Sequence, residues 1–191
     1  MQKAETRALI LKSAKQLFEK QDYDSVTIRG VASHAEIGLG TIYKHFPNKL
    51  SLLANAFFDD LKIQYRDAMA TVPKDKPFKS QFIHISKQFF TFYISHYSLF
   101  QAYLSHIFFY DQEWADQMSA FDEGYAQRLV ELIQAAQDKG EINPKKDSYA
   151  LALALISNYF FVLLNCFLRD HMTDPDELVA LLETLIEQTL Y

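Results

Sequence analysis

Residues 27–53 contain the feature that most restricts how this chain can fold: two short segments of helical periodicity, separated by three residues and ended by Pro47. Thr27 precedes the first segment, where a hydroxyl can cap a helix by accepting a hydrogen bond from a free backbone N–H near Gly30. Two alanines on the inner side of this segment would let a second helix cross closely. The pattern predicts a helix-turn-helix followed by the start of a longer helix.

The second segment, residues 38–45, is expected to present an unusual outer face. Ile42 and Phe46 point to its inner side, as their spacing of four on a helix requires. A helix of about two turns is not stable alone and must pack against its neighbours, so its outer face is available to a partner. The residues expected on that face are Leu39, Gly40, Thr41, Tyr43, Lys44 and His45.

A longer pattern surrounds this motif and keeps its spacing without gaps over residues 7–53. Its members are Ile10-Leu11, Ala14, Leu17-Phe18, Tyr23, Thr27-Ile28-Arg29, Val31-Ala32, Ala35, Ile37, Gly40-Thr41-Ile42-Tyr43, Phe46-Pro47, Lys49 and Leu52-Leu53. In this pattern the chain resembles the N-terminal DNA-binding domain of the TetR/AcrR family of bacterial transcriptional regulators. The resemblance implies an all-helical homodimer that binds a near-palindromic DNA operator, and whose C-terminal domain binds a small ligand that controls the affinity for DNA.

The resemblance and the outer face together predict the DNA contacts. Tyr43 and Thr41 can bond to phosphates or bases, and Lys44 can reach guanine. A half-buried packing role for Tyr43 is the alternative. Residues that would brace the DNA backbone or clamp a phosphate complete the predicted set, which is Thr27, Arg29, Gly38, Leu39, Gly40, Thr41, Tyr43, Lys44, His45 and Lys49.

Four positions depart from the family pattern. Asp22 and Glu36 stand where family members usually carry glycine, and both are expected to need a left-handed backbone, at a cost of about 1 kcal/mol for glutamate. Gly38 is a weaker helix cap than serine or threonine, and Leu39 replaces a basic or polar residue. A helical ligand-binding or scaffold protein that has lost DNA binding is therefore the rival hypothesis.

Charge is distributed unevenly along the chain. The net charge is −5, but residues 1–50 hold eight Lys/Arg against five Asp/Glu, so that this part carries +3 and the remainder −8. A basic head on an acidic body suits a protein that binds DNA through one face. The single cysteine, Cys166, fits a reducing cytoplasm, and the N-terminus lacks the apolar core of a signal peptide, so we expect a cytoplasmic protein.

The rest of the chain reads as long helices, which predicts an all-α fold of about nine helices. A helix-turn-helix DNA-binding domain is expected over residues 1–48 and a ligand-binding and dimerisation domain over 49–191. The helix over about 48–71, capped by Asn48, would bridge the two domains. The other predicted helices span 4–20, 78–96, 98–109, 113–139 (closed by Gly140), 147–170 and 173 to the C-terminus.

Large aromatic side chains are concentrated in the predicted second domain. Most of them are explained by an ordinary core, but so many rings seldom pack without gaps, and few charges lie among them. We therefore predict a pocket for a lipophilic or aromatic effector. Its expected lining is Leu61, Tyr65, Phe82, Phe89, Tyr93, Phe100, Tyr103, Trp114, Phe121 and Tyr125.

Residues 151–168 are apolar apart from three side chains and long enough to span a bilayer. A helix that is apolar all round is alternatively buried on all sides, and burial is the interpretation favoured here, with no membrane partner. The family resemblance implies that the last two helices form a four-helix bundle with their copies in a second subunit. The predicted dimer interface is Ile156, Tyr159, Phe160, Leu163, Phe167, Leu178, Leu182 and Leu185.

Catalytic patterns are not found in the sequence. The six histidines form no i, i+4 pair suited to a metal, adjacent acids such as Asp59 and Asp60 point apart, and no Gly-rich phosphate loop exists. We predict no catalytic residue, no metal site and no cofactor.

Overall fold

The fold is that of a computed structural model, which describes the backbone of residues 3–105, 112–168 and 174–190 and the side chains of residues 3–102, 123–167 and 174–190. Over these ranges it contains nine α-helices, one short 3-10 helix at Tyr23–Ser25 and no strand, which confirms the all-α prediction. The helices are α1 Lys3–Phe18, α2 Ile28–His34, α3 Leu39–Tyr43, α4 Lys49–Ala70, α5 Phe78–Ser95, α6 Tyr97–Ser105, α7 Gln112–Asp138, α8 Ser148–Leu168 and α9 Pro175–Leu190.

The chain divides into two compact units. The first unit comprises residues 1–63 and 96–115, and the second comprises 64–95 and 116–191. All of the predicted helix-turn-helix domain therefore lies in the first unit, which also contains α6 and most of α4. The assignment of separate functions to residues 1–48 and 49–191 remains a prediction.

The core of the first unit is closed and apolar. Ile10 from α1, Val31 from α2 and Ile42 from α3 are completely buried, and Phe46 after α3 and Leu52 from α4 are at most 1 % exposed. These residues occupy the inner positions that the helical spacing of the sequence predicts. The short helix α3 is thus stabilised by tertiary packing, as its length requires.

A left-handed backbone is found at only one of the two positions where the family usually carries glycine. Glu36 has a φ of 53°, in the left-handed region. Asp22 has a φ of −59° and a ψ of 150°, which is ordinary extended backbone. The prediction of a left-handed Asp22 was wrong, because the chain enters the 3-10 helix at Tyr23 directly from an extended residue.

The second unit is built from α5, α7, α8, α9 and the end of α4. Helix α9 packs against both α5 and α8, and its buried residues Leu178, Leu182 and Ile186 are spaced by four. Helix α7 ends at Asp138 and is closed by Gly140, as predicted; the φ of Gly140 is 76°, in the left-handed region that commonly ends a helix. Predicted helix ends at residues 109 and 170 lie outside the described residues.

Helix α8 is apolar all round but buried on one side only within a single chain, so burial on all sides would need the second subunit that the family resemblance implies. By length and composition it could cross a membrane, with a mean hydropathy of 1.9 over Ser148–Phe167 and 39 % of that window buried. A core helix of a soluble protein satisfies the same criterion. Cys166 is completely buried, as predicted, and burial raises the pKa of its thiol.

Candidate functional site

The outer face of α3 is exposed because its inner face is fixed. Ile42 is completely buried and Phe46 is 1 % exposed, whereas the side chain of Tyr43 is 52 % exposed. Lys44 and Gly40 are also exposed, and Thr41 and His45 are partly exposed. Because Tyr43 is about half-buried, its exposure is compatible both with contact to DNA and with the alternative role as a half-buried packing residue.

Leu39 differs from the other residues expected on the outer face. It is partly buried and packs against the core of the first unit. Its apolar side chain therefore contributes to the folding of α3, which explains why a leucine can stand where a polar residue was expected. The prediction that Leu39 points outward was wrong.

Two caps position the helices around this face. The hydroxyl of Thr27 accepts a hydrogen bond from the backbone N–H of Gly30 at 3.0 Å, as predicted. The side chain of Asn48 likewise caps α4 by accepting from the N–H of Ser51 at 2.7 Å. Gly38 precedes α3 with an extended backbone and makes no side-chain cap. Arg29 is exposed on α2, beside the Thr27 cap.

Lys49 is held by the protein itself. Its ammonium donates a hydrogen bond to the backbone carbonyl of Tyr23 at 2.8 Å and lies 4.0 Å from the centre of the Tyr23 ring. An ammonium has three donors, so contact with a phosphate remains chemically possible. The contacts with Tyr23 give Lys49 a structural role that the sequence did not indicate.

A second group of functional candidates lies inside the second unit. We define the aromatic cluster as Tyr65, Phe89, Phe90, Tyr93, Tyr125 and Tyr159. The ring of Tyr125 makes edge-to-face contacts with Tyr65 at 5.9 Å and with Phe89 at 6.3 Å between centroids. Phe89 stacks on Tyr93 at 6.3 Å, and Phe90 stacks on Tyr159 at 4.9 Å. Four predicted pocket residues, Tyr65, Phe89, Tyr93 and Tyr125, are thus brought together.

The other predicted pocket residues are distributed differently. Phe82 is completely buried and stacks on Phe78. Leu61 and Phe100 are buried and belong to the first unit. The side chains of Tyr103, Trp114 and Phe121 lie outside the described residues.

The environment of the aromatic cluster is one of low polarity. Desolvation raises the pKa of the Tyr125 hydroxyl far above its ordinary value, and the neighbouring Tyr65 adds to the shift. Desolvation also raises the pKa of Tyr159, with smaller contributions from Tyr93 and Tyr125. Hydroxyls in such surroundings stay protonated and act as hydrogen-bond donors or acceptors without charge.

Two buried hydroxyls lack hydrogen-bond partners among the residues that the structure describes: Ser86 Oγ and the Tyr159 hydroxyl. A buried polar atom without a partner costs about 1–3 kcal/mol, so such atoms mark places where another molecule can bond. Sequence analysis missed Ser86, although it shares a face of α5 with Phe90 and Tyr93 at helical spacing. It placed Tyr159 at a dimer interface, which stays a prediction; within one chain the hydroxyl is buried and the side chain as a whole is partly buried.

The predicted dimer interface needs correction at other residues. Leu163, Phe167, Leu178 and Leu182 are at most 6 % exposed in a single chain, so they form its core and have little surface to offer a partner. Ile156 and Leu185 are partly buried, and Phe160 is exposed. The exposed apolar face of α8, which the prediction included only through Phe160, is formed by Tyr149, Leu153, Phe160 and Phe161.

A separate cleft of about 270 Å³ opens in the second unit beside the ends of α4 and α7. Its walls include apolar Val72 and Leu132 and the cations Lys74 and Lys139. Pockets that enclose a drug-sized ligand usually measure about 300–1,000 Å³. The cleft is therefore small for a bulky lipophilic effector.

Comparison with known proteins agrees with the first unit. The family model described as bacterial regulatory proteins, tetR family, matches residues 10–56. The HTH-type transcriptional repressor KstR of Rhodococcus jostii is 40 % identical over 52 residues, and KstR of Mycobacterium tuberculosis is 38 % identical over 52 residues. Each match covers 27 % of this chain and 24 % of the relative, so the chain matches about a quarter of the length of these curated relatives.

Solved structures share the fold over almost the whole chain. The regulator FadR of Thermus thermophilus, a TetR-family repressor in complex with lauroyl-CoA, has a TM-score of 0.73 and 17 % identity, covering 96 % of this chain and 93 % of its own. FadR of Bacillus subtilis in complex with stearoyl-CoA has a TM-score of 0.70 and 18 % identity, covering 96 % and 97 %. At these identities the likeness concerns the fold. Residues 10–56 therefore match the tetR family of bacterial regulatory proteins, and the solved structures show that the chain as a whole shares the fold of these regulators.

Proposed function

We propose that this chain is a sequence-specific DNA-binding transcriptional regulator, a repressor that a lipophilic or aromatic small molecule releases from its operator. The observation that carries the proposal is the outer face of α3. Tyr43 is 52 % exposed and Lys44 is exposed, beside an Ile42 that is completely buried. A rigid helix that presents an aromatic ring, a hydroxyl and a cation to solvent is suited to entering a major groove.

The DNA contacts follow from the chemistry of that face. Lys44 can donate to the N7 and O6 acceptors of guanine, and the hydroxyls of Tyr43 and Thr41 can bond to phosphates or bases. Gly40 leaves room for close approach, since a Cβ added there would meet no atom within 4 Å. Arg29 and Lys49 would contribute phosphate contacts that fix the position of α3 on the duplex.

We propose that the active form is a homodimer that forms through α8. Tyr149, Leu153, Phe160 and Phe161 expose between 42 % and 57 % of their side chains on this helix, and a contiguous apolar face on a soluble protein usually marks an interaction surface. Two copies related by a two-fold axis would present two α3 helices to half-sites about 34 Å apart, or slightly more. A dimer interface here would also account for the length of apolar sequence in α8 without a membrane.

The effector is proposed to bind at the aromatic cluster. Its rings provide the apolar surface that a lipophilic ligand needs, and few charges act within it. Two regulators of the same fold were solved with lauroyl-CoA and stearoyl-CoA, which supports an acyl or similarly lipophilic effector for this chain. Binding of effector must weaken DNA affinity by the same factor by which DNA weakens effector binding.

The test begins with selection of binding sites by the purified full chain from random duplex DNA. A two-fold symmetric site should be enriched, and affinity for it should fall with salt on a log–log slope that reports several phosphate contacts. Fluorescence anisotropy with Lys44→Ala and with Tyr43→Ala should show a loss of about 5–100-fold in affinity. Lys145→Ala is the matched control, because it removes an exposed lysine of the second unit, and it should bind like wild type.

Two results would contradict the proposal in different parts. If folded, dimeric protein selects no site, the rival hypothesis of a helical ligand-binding or scaffold protein is favoured. If the protein selects a site but a saturating acyl thioester such as lauroyl-CoA leaves the affinity for DNA unchanged, DNA binding stands and an acyl-thioester effector is refuted. Lys49→Ala is avoided as a test variant, because it would also remove the hydrogen bond to Tyr23.

A further inference from the structure

Two buried hydroxyls of the second unit, Ser86 Oγ and the Tyr159 hydroxyl, lack the hydrogen bonds that helix hydroxyls usually make among the described residues. Ser86 is 1 % exposed and its Oγ has no hydrogen-bond partner among the described residues. On the same helix, the hydroxyl of Thr91 donates to the carbonyl of Lys87 at 2.9 Å, which is the usual solution for a hydroxyl within a helix. The hydroxyl of Ser86 makes no such hydrogen bond to a backbone carbonyl, although Ser86 is more deeply buried than Thr91.

Ser86 and Tyr159 belong to the same region of the second unit. Ser86 precedes Phe90 by one turn on α5, so the two side chains share a face. The ring of Phe90 stacks on the ring of Tyr159 at 4.9 Å between centroids. Tyr93 and Tyr125 add to the raised pKa of Tyr159, which is consistent with a hydroxyl that faces the aromatic cluster. Both hydroxyls are therefore placed among aromatic rings.

Formal charges act at the edge of the aromatic cluster. Arg128 and Glu131, which pair with each other, interact with Tyr65. The pKa of Tyr159 is raised by desolvation and, less strongly, by Tyr93 and Tyr125, which are themselves neutral at physiological pH. An anionic group bonded to Tyr159 would thus lose its water without gaining a cation from the described side chains, which costs free energy. An uncharged acceptor would lose much less.

We infer that the Tyr159 and Ser86 hydroxyls together bind one uncharged hydrogen-bond acceptor of the effector, such as a carbonyl or ether oxygen, on an apolar body that contacts Phe89 and Phe90. This inference rests on the proposed effector site and adds to it the residues that select the ligand and the chemistry they select. A ligand oxygen can accept from both hydroxyls at once, because it carries two lone pairs. Ligands that lack this oxygen leave both hydroxyls without partners and bind less tightly.

The experiment uses two probes with the same apolar body, benzylacetone and n-butylbenzene, which differ by a carbonyl in place of a methylene. Calorimetric titration of the full chain is expected to show about tenfold tighter binding of the ketone. Tyr159→Phe and Ser86→Ala should each reduce affinity for the ketone several-fold and leave affinity for n-butylbenzene unchanged. Tyr149→Phe, an exposed tyrosine on the same helix, is the matched control and should behave like wild type.

A second measurement separates ligand binding from structural support. If the hydroxyls have no partner in the free protein, Tyr159→Phe and Ser86→Ala should leave its thermal stability unchanged or raise it. A lower melting temperature for both variants would mean that the hydroxyls are satisfied within the protein, and it would overturn the inference. Wild-type protein that binds both probes equally, or neither, would also overturn it. The proposed function fails on a different result, the absence of operator selection.

Discussion

In the first unit, the side chains proposed for function surround a closed apolar core, with Ile42 and Phe46 at most 1 % exposed and Tyr43 outside. In the second unit, two hydroxyls lacking partners among the described residues, Ser86 and Tyr159, are placed in the interior among aromatic rings. A surface that recognises a large, charged partner needs a rigid support, so its core can be optimised for packing. An interior that recognises a small molecule must leave polar groups unsatisfied until the ligand arrives.

The largest expected effect tests how tightly the core of the first unit packs around Phe46. Phe46→Ala should destabilise the first unit by about 3–5 kcal/mol, because it removes a completely packed ring and leaves a cavity. The ring also supports the guanidinium of Arg7 at 5.2 Å. Urea unfolding followed by circular dichroism measures the loss, and Phe46→Leu, which keeps most of the volume, should lose much less. Similar stability for Phe46→Ala and wild type would contradict a close-packed first core.

The next largest effect tests the proposed dimer interface. This interface is the exposed apolar face of α8 in the second unit. Phe161→Glu should weaken dimerisation by more than about 2 kcal/mol, roughly 30-fold, since it places a charge within the proposed apolar contact. Sedimentation velocity at several concentrations measures the change. Thr91→Glu adds the same charge on α5 and should leave the dimer intact. A dimer that survives Phe161→Glu would show that association uses another surface.

The stability of the protein at alkaline pH tests the burial of the interior tyrosines. Burial raises the pKa of Tyr125 and of Tyr159 above 10.0 in the folded protein, so both stay neutral where the unfolded chain ionises. The stabilisation is complete below pH 10.0 and decreases above it, by up to about 1.4 kcal/mol per pH unit for each tyrosine. Denaturant titrations against pH should show this slope, and Tyr125→Phe should reduce it. A slope that is unchanged in the variant would contradict the burial of this hydroxyl.

The smallest expected effect is at the turn of the first unit. Glu36→Gly should stabilise the protein by about 0.5–1 kcal/mol, because glycine adopts the left-handed φ of 53° without a Cβ clash. Glu36→Ala keeps the Cβ and is the matched control, expected to give no gain. Thermal unfolding followed by calorimetry measures both. If alanine stabilises as much as glycine, the carboxylate and not the backbone is responsible.

Local patterns in the sequence were sufficient to predict the first unit. The Thr27 cap and the buried Ile42 and Phe46 follow from interactions between residues within a few positions of each other, which spacing and residue type report. The helices of the second unit were predicted for the same reason, with ends that differ by one or two residues where the structure describes them. The left-handed Glu36 was expected from the family pattern. The error at Asp22 arose from a family pattern, since the residues around it form an extended entry to a 3-10 helix.

The tertiary structure alone decided which side of each long helix faces the interior. Helix α8 is apolar on every side, so its sequence gives no periodic signal to separate Tyr159, which is directed into the aromatic cluster, from Phe161, which is exposed. That choice depends on how α5 and α9 pack against it, through contacts between residues far apart in the chain. For the same reason the sequence determined the family of the first unit but could not identify Ser86 and Tyr159, whose missing partners are defined only by the atoms around them.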